Sequence, residues 1–258
     1  MKIGMIGCGT IGSFLLEKLN TNHRPEQIVA IYSRNVKKTK TIAEQYKAKA
    51  CQTVEELLQE ELDLVVEVAT IEAVEAYGLK VIEQGIPLIV SSIGAFSDVD
   101  FWTQVKEKSE ATDTNVYIPS GAVGGLDLLQ SAQVIDGLRS VTLTTRKPVH
   151  SLGVGEKTEP SILFEGKAEE VIRQYPRNMN VAIAISLAGI GPKRTRVRLI
   201  ADPHIERNLH QIEAEGAFGR FSLEVENEAL PGNPKTSYLA ALSVLSSIFS
   251  HQKRIQIG

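Results

Sequence analysis

The stretch Lys2-Ile3-Gly4-Met5-Ile6-Gly7-Cys8-Gly9-Thr10-Ile11-Gly12 decides the fold. A hydrophobic run of strand length leads directly into Gly-x-Gly-x-x-Gly, and the helix-like segment Ile11–Leu19 follows. Strand, turn and helix in this order make the first step of a dinucleotide-binding domain, and each glycine has its own task. Gly7 permits the tight turn, Gly9 lacks a side chain that would hold a pyrophosphate away, and Gly12 lets the helix pack on the strand. The helix N-terminus then turns N–H groups and the positive end of its dipole toward the phosphates. Gly7, Gly9, Thr10, Ile11 and Gly12 are therefore expected to hold a dinucleotide. Cys8 is expected to face the fold without chemistry of its own, and Cys51 is read as structural.

Outward from this turn, strands and helices alternate. Strand-like runs are Lys2–Ile6, Ile28–Tyr32, Leu64–Val68, Pro87–Ser91 and Asn115–Ile118; helix-like stretches are Ile11–Leu19, Val36–Gln45, Val54–Gln59, Ile71–Gln84 and Val99–Ala111. Thr53-Val54-Glu55-Glu56 has the form of a capping box, Ser97-Asp98 precedes a helix, and Gly85 stands where a left-handed cap ends one. The run Leu64-Val65-Val66-Glu67-Val68 is almost continuously apolar, as in a parallel strand covered on both faces. The fold class expected is α/β: an N-terminal Rossmann domain with a doubly wound parallel sheet.

The end of the second strand, Ala30-Ile31-Tyr32-Ser33-Arg34, bears on the cofactor. A site selective for NAD places an acidic residue here for the ribose 2′-OH. Ser33 and Arg34 offer a hydroxyl and a guanidinium instead, which suit a 2′-phosphate. NADP is expected to be accepted well; an arginine that only stacks on adenine leaves the choice between NAD and NADP open.

After Pro119 the pattern changes. Ser120-Gly121-Ala122-Val123-Gly124-Gly125 is glycine-rich, and Leu126–Ile135 reads as a helix. Arg194–Leu199, Leu209–Ala214 and Phe221–Glu226 then alternate polar and apolar residues, the pattern of antiparallel strands with one wet or partner-facing side. This half is read as an α+β domain with a mixed or antiparallel sheet, closed by a helix over Thr236–Phe249. The uncovered sheet face suits a partner subunit, so a homodimer is expected.

Composition excludes several classes. The 258 residues are 43% hydrophobic and 23% charged, with a net charge of −3. No basic stripe marks a nucleic-acid surface. No apolar stretch is long enough for a bilayer and no leader pattern opens the chain, so a cytoplasmic protein is expected. Two cysteines make neither a disulfide framework nor a zinc site of conventional spacing, and no metal is expected.

A dehydrogenase needs a group that exchanges a proton as hydride moves, and histidine titrates in the useful range. His23 lies in a polar loop and His251 near the C-terminus; His150 follows a β-like run and stays open. His204 and His210 share the segment Asp202–Ile212. His210 falls on a strand face with Ile212 and Ala214, where a hydrogen-bonded core histidine is commoner than a catalyst.

Six blocks resemble the L-aspartate dehydrogenase family, similar in architecture to dihydrodipicolinate reductase. They are the glycine turn; Ser120-Gly121-Ala122-Val123-Gly124-Gly125-Leu126-Asp127; Phe164-Glu165-Gly166-Lys167-Ala168; Asn178-Met179-Asn180-Val181-Ala182; Ala201-Asp202-Pro203 with Asn208-Leu209-His210-Gln211-Ile212; and Gly232-Asn233-Pro234-Lys235-Thr236-Ser237. The resemblance implies oxidation of L-aspartate with NAD or NADP to iminosuccinate, which yields oxaloacetate and ammonia or feeds pyridine nucleotide synthesis. It places the catalytic acid/base on His210, and Ala122 and Asn180 at the cofactor. It also implies a discontinuous dinucleotide domain, 1–118 with 234–258, around a catalytic and dimerisation domain, 119–233. The substrate's two carboxylates need donors. Lys235 and Thr236, read as opening the last helix, and Ser120 are candidates, although Lys235 and Thr236 also suit a plain helix start. Rival readings are another reductase of a small dicarboxylate on this fold and a non-enzymatic dinucleotide-binding regulator. The first lacks its adjacent histidine pair here, and the second lacks a partner-binding or DNA-binding module.

Overall fold

The computed structural model describes residues 1–21, 24–175 and 179–255, with backbone alone at Pro234 and Lys235. Two compact units divide the chain: Met1–Pro119 with Val244–Gln256, and Ser120–Ser243.

The first unit runs β1 (Lys2–Ile6), α1 (Thr10–Asn20), β2 (Gln27–Tyr32), α2 (Val36–Tyr46), β3 (Lys49–Cys51), α3 (Val54–Leu58), β4 (Leu64–Glu67), α4 (Ile71–Glu83), β5 (Leu88–Val90), α5 (Val99–Thr112) and β6 (Val116–Tyr117). The six strands form one parallel sheet in the order β3-β2-β1-β4-β5-β6. This is the doubly wound arrangement, in which the order reverses between β1 and β4. All four residues of β4 are buried, as its apolar run demands. The anticipated caps are in place. Thr53 Oγ1 accepts from Glu56 N, Asp98 accepts from the N–H groups of Asp100 and Phe101, and Gly85 has φ +69°.

Glu67, 2% exposed at the end of β4, is the exception in an apolar strand. Its carboxylate accepts from Ala69 N at 2.6 Å, Ser92 N at 2.9 Å and Ser92 Oγ at 2.8 Å. Burial pushes its carboxyl above the usual range, against these hydrogen bonds. One side chain thus ties together the loops that leave β4 and β5.

The second unit runs α6 (Leu126–Gln133), β7 (Leu138–Pro148), α7 (Val149–Leu152), β8 (Ser161–Lys167), α8 (Ala168–Gln174), α9 (Asn180–Ala188), β9 (Arg196–Asp202), β10 (Asn208–Gly216), β11 (Gly219–Asn227), β12 (Ala229–Leu230) and β13 (Asn233–Ser237). Its main sheet has the order β11-β10-β7-β9-β8 and is mixed: β7 and β9 are parallel and the other pairs antiparallel. One face is buried, with Val141, Leu143, Val197, Leu199, Ile212 and Ala214. On the opposite face Ser140, Arg196, Glu213, Glu215, Arg220 and Glu224 are exposed.

The last helix, α10 (Tyr238–His251), starts later than expected. Asn233–Ser237 is a strand, with Ser237 opposite Ala229 of β12. Lys235 and Thr236 therefore do not open a helix, and the dipole argument for them falls. The helix expected over Leu126–Ile135 ends at Gln133, because Asp136 turns the chain with φ +55°. Within the first unit, α10 is held by His251 Nδ1 and Tyr117 Oη at 3.1 Å and by Arg24 over the Phe249 ring.

The glycine turn separates two roles that one experiment distinguishes. Gly7 has φ +110°, and an added Cβ would lie 2.7 Å from Val68 O; at Gly9 it would meet nothing within 4 Å. Gly7→Ala is expected to cost about 1–3 kcal/mol in urea unfolding, as enforced backbone strain does. Gly9→Ala is expected to stay within about 0.5 kcal/mol of the unaltered protein. Equal losses would contradict this division.

Candidate functional site

The carboxyl ends of β1, β2 and β4 open onto a cleft of ≈ 360 Å³. Gly7 and Gly9 lie on one side, Ser33 and Arg34 on another, and Ala69 and Tyr77 on a third. Helix α1 is capped by Gly9, which offers no side-chain cap, and its first turn carries no acidic residue, so its positive end faces the cleft. An added Cβ at Gly12 would lie 2.8 Å from Gly7 O, which holds helix and strand in close approach. The open space before Gly9 and this uncapped terminus fit a dinucleotide pyrophosphate. Thr10 and Ile11 form the first turn of α1.

Arg34 is exposed immediately before Asn35, which caps α2 by accepting from Lys38 N. Tyr32 and Tyr77 meet edge to face, their hydroxyls 3.0 Å apart, and this shared hydrogen bond pushes Tyr32 up to about 12. Cys8 also lines the cleft; it is 3% exposed, with Sγ 3.8 Å from Thr39 Oγ1. Tyr77 and the Val68-Ala69-Thr70 loop were invisible as site residues in the sequence, since both read as ordinary pieces of a βα unit.

In the second unit, His210 lies on the buried face of β10, opposite Thr145 of β7. It is 4% exposed, and Nδ1 lies 3.0 Å from Thr145 Oγ1. That partner leaves Nε2 as the nitrogen available to a ligand. Burial, and secondarily the charge of Lys147, depress His210 to about 4. The imidazole is thus neutral at ordinary pH.

A hydrogen-bonded chain ends at the same strands. Asn227, on β11 two residues beyond the partner of His210, donates from Nδ2 to Ala122 O at 2.9 Å. Its Oδ1 accepts from Ser237 Oγ at 2.5 Å. Ala122 and the β13 segment that carries Thr236 are thereby brought to the strand ends near His210. Ser120 is half-buried, one residue from Gly121, whose N–H donates to Ser243 Oγ. Asn180 opens α9, is exposed, and takes no part in this chain. The side chain of Lys235, and His23 and Asn178, lie outside the described residues. His150 is exposed on α7. Among the described residues no group of three or more His, Cys, Asp or Glu side chains could hold a metal, and no helix is long and apolar enough to cross a membrane.

The depressed His210 has a consequence for stability. The unfolded chain takes up a proton near 6.5 and the folded chain only near 4, so stability falls as pH drops through that window. The loss attributable to this group is up to about 3 kcal/mol. His210→Asn is expected to flatten the urea-unfolding free energy between pH 6.5 and 4 relative to the unaltered protein. Identical pH profiles would refute the assignment.

Comparisons with known proteins agree with this geometry. Residues 127–251 match the family model described as aspartate dehydrogenase, C-terminal, and residues 7–119 match the NAD-binding domain of homoserine dehydrogenase. The chain is 41% identical to the L-aspartate dehydrogenase of Methanosarcina barkeri, covering 100% of this chain and 99% of that one. It is 39% identical, with the same coverage, to that of Methanosarcina mazei. The crystal structure of the Thermotoga maritima aspartate dehydrogenase superposes with a TM-score of 0.83 at 30% identity, covering 100% of this chain and 99% of that one. With its NAD-binding first unit and its mixed-sheet second unit, this chain belongs to the L-aspartate dehydrogenase family.

Proposed function

We propose that the protein is an L-aspartate dehydrogenase, which oxidises L-aspartate with NAD or NADP to iminosuccinate, reversibly, and so to oxaloacetate and ammonia. The observation that carries this reading is His210, buried, neutral and held through Nδ1 by Thr145. It stands in a chain that matches L-aspartate dehydrogenases over its full length.

Gly7, Gly9, Thr10, Ile11 and Gly12 hold the pyrophosphate, and Ser33 and Arg34 face the adenosine ribose. Arg34 offers directed donors to a 2′-phosphate, which supports use of NADP. Ala122 and Asn180 complete the cofactor site; Ser120, Thr236 and Lys235 contribute to holding substrate. The nicotinamide, when bound, supplies the hydride acceptor.

Hydride can leave Cα only once the α-amine is neutral and its lone pair can form the C=N bond. His210 Nε2 takes that proton from the α-ammonium, in the tautomer whose Nδ1–H donates to Thr145 Oγ1. The hydride leaves from Cα, the resulting iminium gives its second proton to water, and the neutral imine is the product. Once Nε2 has released its proton to solvent, its lone pair is free again and activates water for addition to the imine. Thr145 keeps the lone pair of Nε2 directed outward, as an orienting partner does for other histidine bases.

Absorbance at 340 nm tests this, with L-aspartate plus NAD or NADP and with oxaloacetate, ammonia and reduced cofactor. Aspartate-dependent turnover is expected with both cofactors, with kcat/KM for NADP at least comparable to that for NAD. His210→Ala is expected to lower kcat by about 10²–10⁴-fold. Absence of turnover with either cofactor, or near-normal turnover in a folded His210→Ala variant, would sink the reading.

The working form is a cytoplasmic homodimer in which the exposed face of the mixed sheet meets its copy. That face carries Arg196 and Arg198 on β9, and Glu213, Glu215, Glu224 and Glu226 on β10 and β11. A two-fold axis running near β7 sets the basic edge of one copy against the acidic edge of the other. Sedimentation equilibrium at micromolar concentration is expected to give twice the chain mass, falling toward one on Glu213→Arg with Glu224→Arg. A monomer in the unaltered protein would overturn it.

A further inference from the structure

Strand β7 carries adjacent cations that point to opposite faces of the mixed sheet. Arg146, on the exposed face, donates through Nη1 to Asp202 Oδ2 at 2.9 Å. Lys147 falls on the buried face, two residues from Thr145, the hydrogen-bond partner of His210. Its neighbour on β9 is Ala201, a methyl group that offers no acceptor. Asp202, the nearest carboxylate in sequence, is on the other face and committed to Arg146 and to His204 N. Among the described residues no hydrogen bond or ion pair is made by the Lys147 side chain. Burial alone pushes its ammonium down from the ordinary lysine value, with no acid raising it.

A half-buried, unpaired cation costs folding free energy, and an apolar side chain of similar length would fill the same place more cheaply. The cost is offset when an anion arrives. A two-residue step on a strand is about 6.8 Å. That spacing lets a small amino acid lie along the sheet end with its amine at His210 and an acid group at Lys147.

We propose that Lys147 is the anchor for a carboxylate of the substrate, its Nζ meeting the acid group while His210 Nε2 faces the amine. This rests on the reading of the site as one for an amino dicarboxylate. It assigns to Lys147 a share of the selectivity for an acidic amino acid. No covalent step is involved: the ammonium donates hydrogen bonds and stays on the lysine.

The test uses succinate, a dicarboxylate with no amine, as competitive inhibitor against L-aspartate at saturating cofactor. Lys147→Met is expected to raise both KM for aspartate and Ki for succinate by about 10–100-fold, the worth of one hydrogen bond to a charged group. The Kd for reduced cofactor, read by fluorescence, should stay at the unaltered value, and the thermal midpoint should rise, since Met removes the unpaired charge. Lys147→Arg should recover most of the succinate binding. Unchanged Ki and KM in Lys147→Met would overturn the proposal, as would a fall in kcat alone, which would make Lys147 a group acting on the chemical step. Should Lys147→Met fail to fold, Lys147→Gln is measured in the same way and judged by the same outcomes. Succinate binding lost with Lys147, in an enzyme that fails to oxidise aspartate, would sink the aspartate reading and leave the anchor standing.

Discussion

A parallel sheet has to be covered on both faces, and that requirement organises the first unit. Each strand must be followed by a helix that carries the chain back across a face, so the carboxyl ends of all six strands lie on one side. The turn after β1 is the tightest of these connections. Gly7 takes a conformation closed to other residues, and Gly12 brings α1 within van der Waals reach of the strand. The same geometry that covers the sheet aims the uncapped end of α1 into the cleft, so packing and anion binding share one cause. Glu67 extends this order to the neighbouring loops by holding Ala69 and Ser92 with a single carboxylate.

The second unit solves a different problem. Its mixed sheet can leave one face wet, and alternation along β10 and β11 sorts apolar residues from charges. His210 is the residue that breaks the sorting. It is polar on the apolar face, tolerated because Thr145 satisfies one nitrogen and because burial keeps the ring uncharged. Lys147 breaks it a second time, its side chain without a partner among the described residues.

Legibility followed the strength of periodic and turn signals. The first unit was readable because β4 is continuously apolar and because Thr53, Gly85 and Asp98 mark helix ends by their own chemistry. The stretch from β8 to α9 was not. Asn180–Ala188 is apolar almost throughout, which leaves no helical stripe to detect, and β8 is interrupted by a shift in register between Ile162 and Phe164. The end of the chain misled for another reason. Pro234 with Lys235, Thr236 and Ser237 looks like a helix entrance, but pairing of β13 with β12 holds it extended. At the site, His210 was visible by residue type and strand parity, whereas Thr145 and Lys147 gain meaning only from the register of β7 against β10. Asn227 likewise matters through its bonds to Ala122 and Ser237, a relation across distant segments.

Helix α10 starts in one unit and finishes in the other, and its later part supplies Val244 and Ile248, both buried, to a unit whose other residues end at Pro119. A ribosome making about 5–20 residues per second takes on the order of ten seconds to travel from Pro119 to Val244. Throughout that interval the nascent dinucleotide-binding unit lacks its closing helix and leaves the apolar surface for that helix exposed. Completion of the cofactor-binding half is therefore timed by synthesis of the half that carries His210, and neither is finished long before the other.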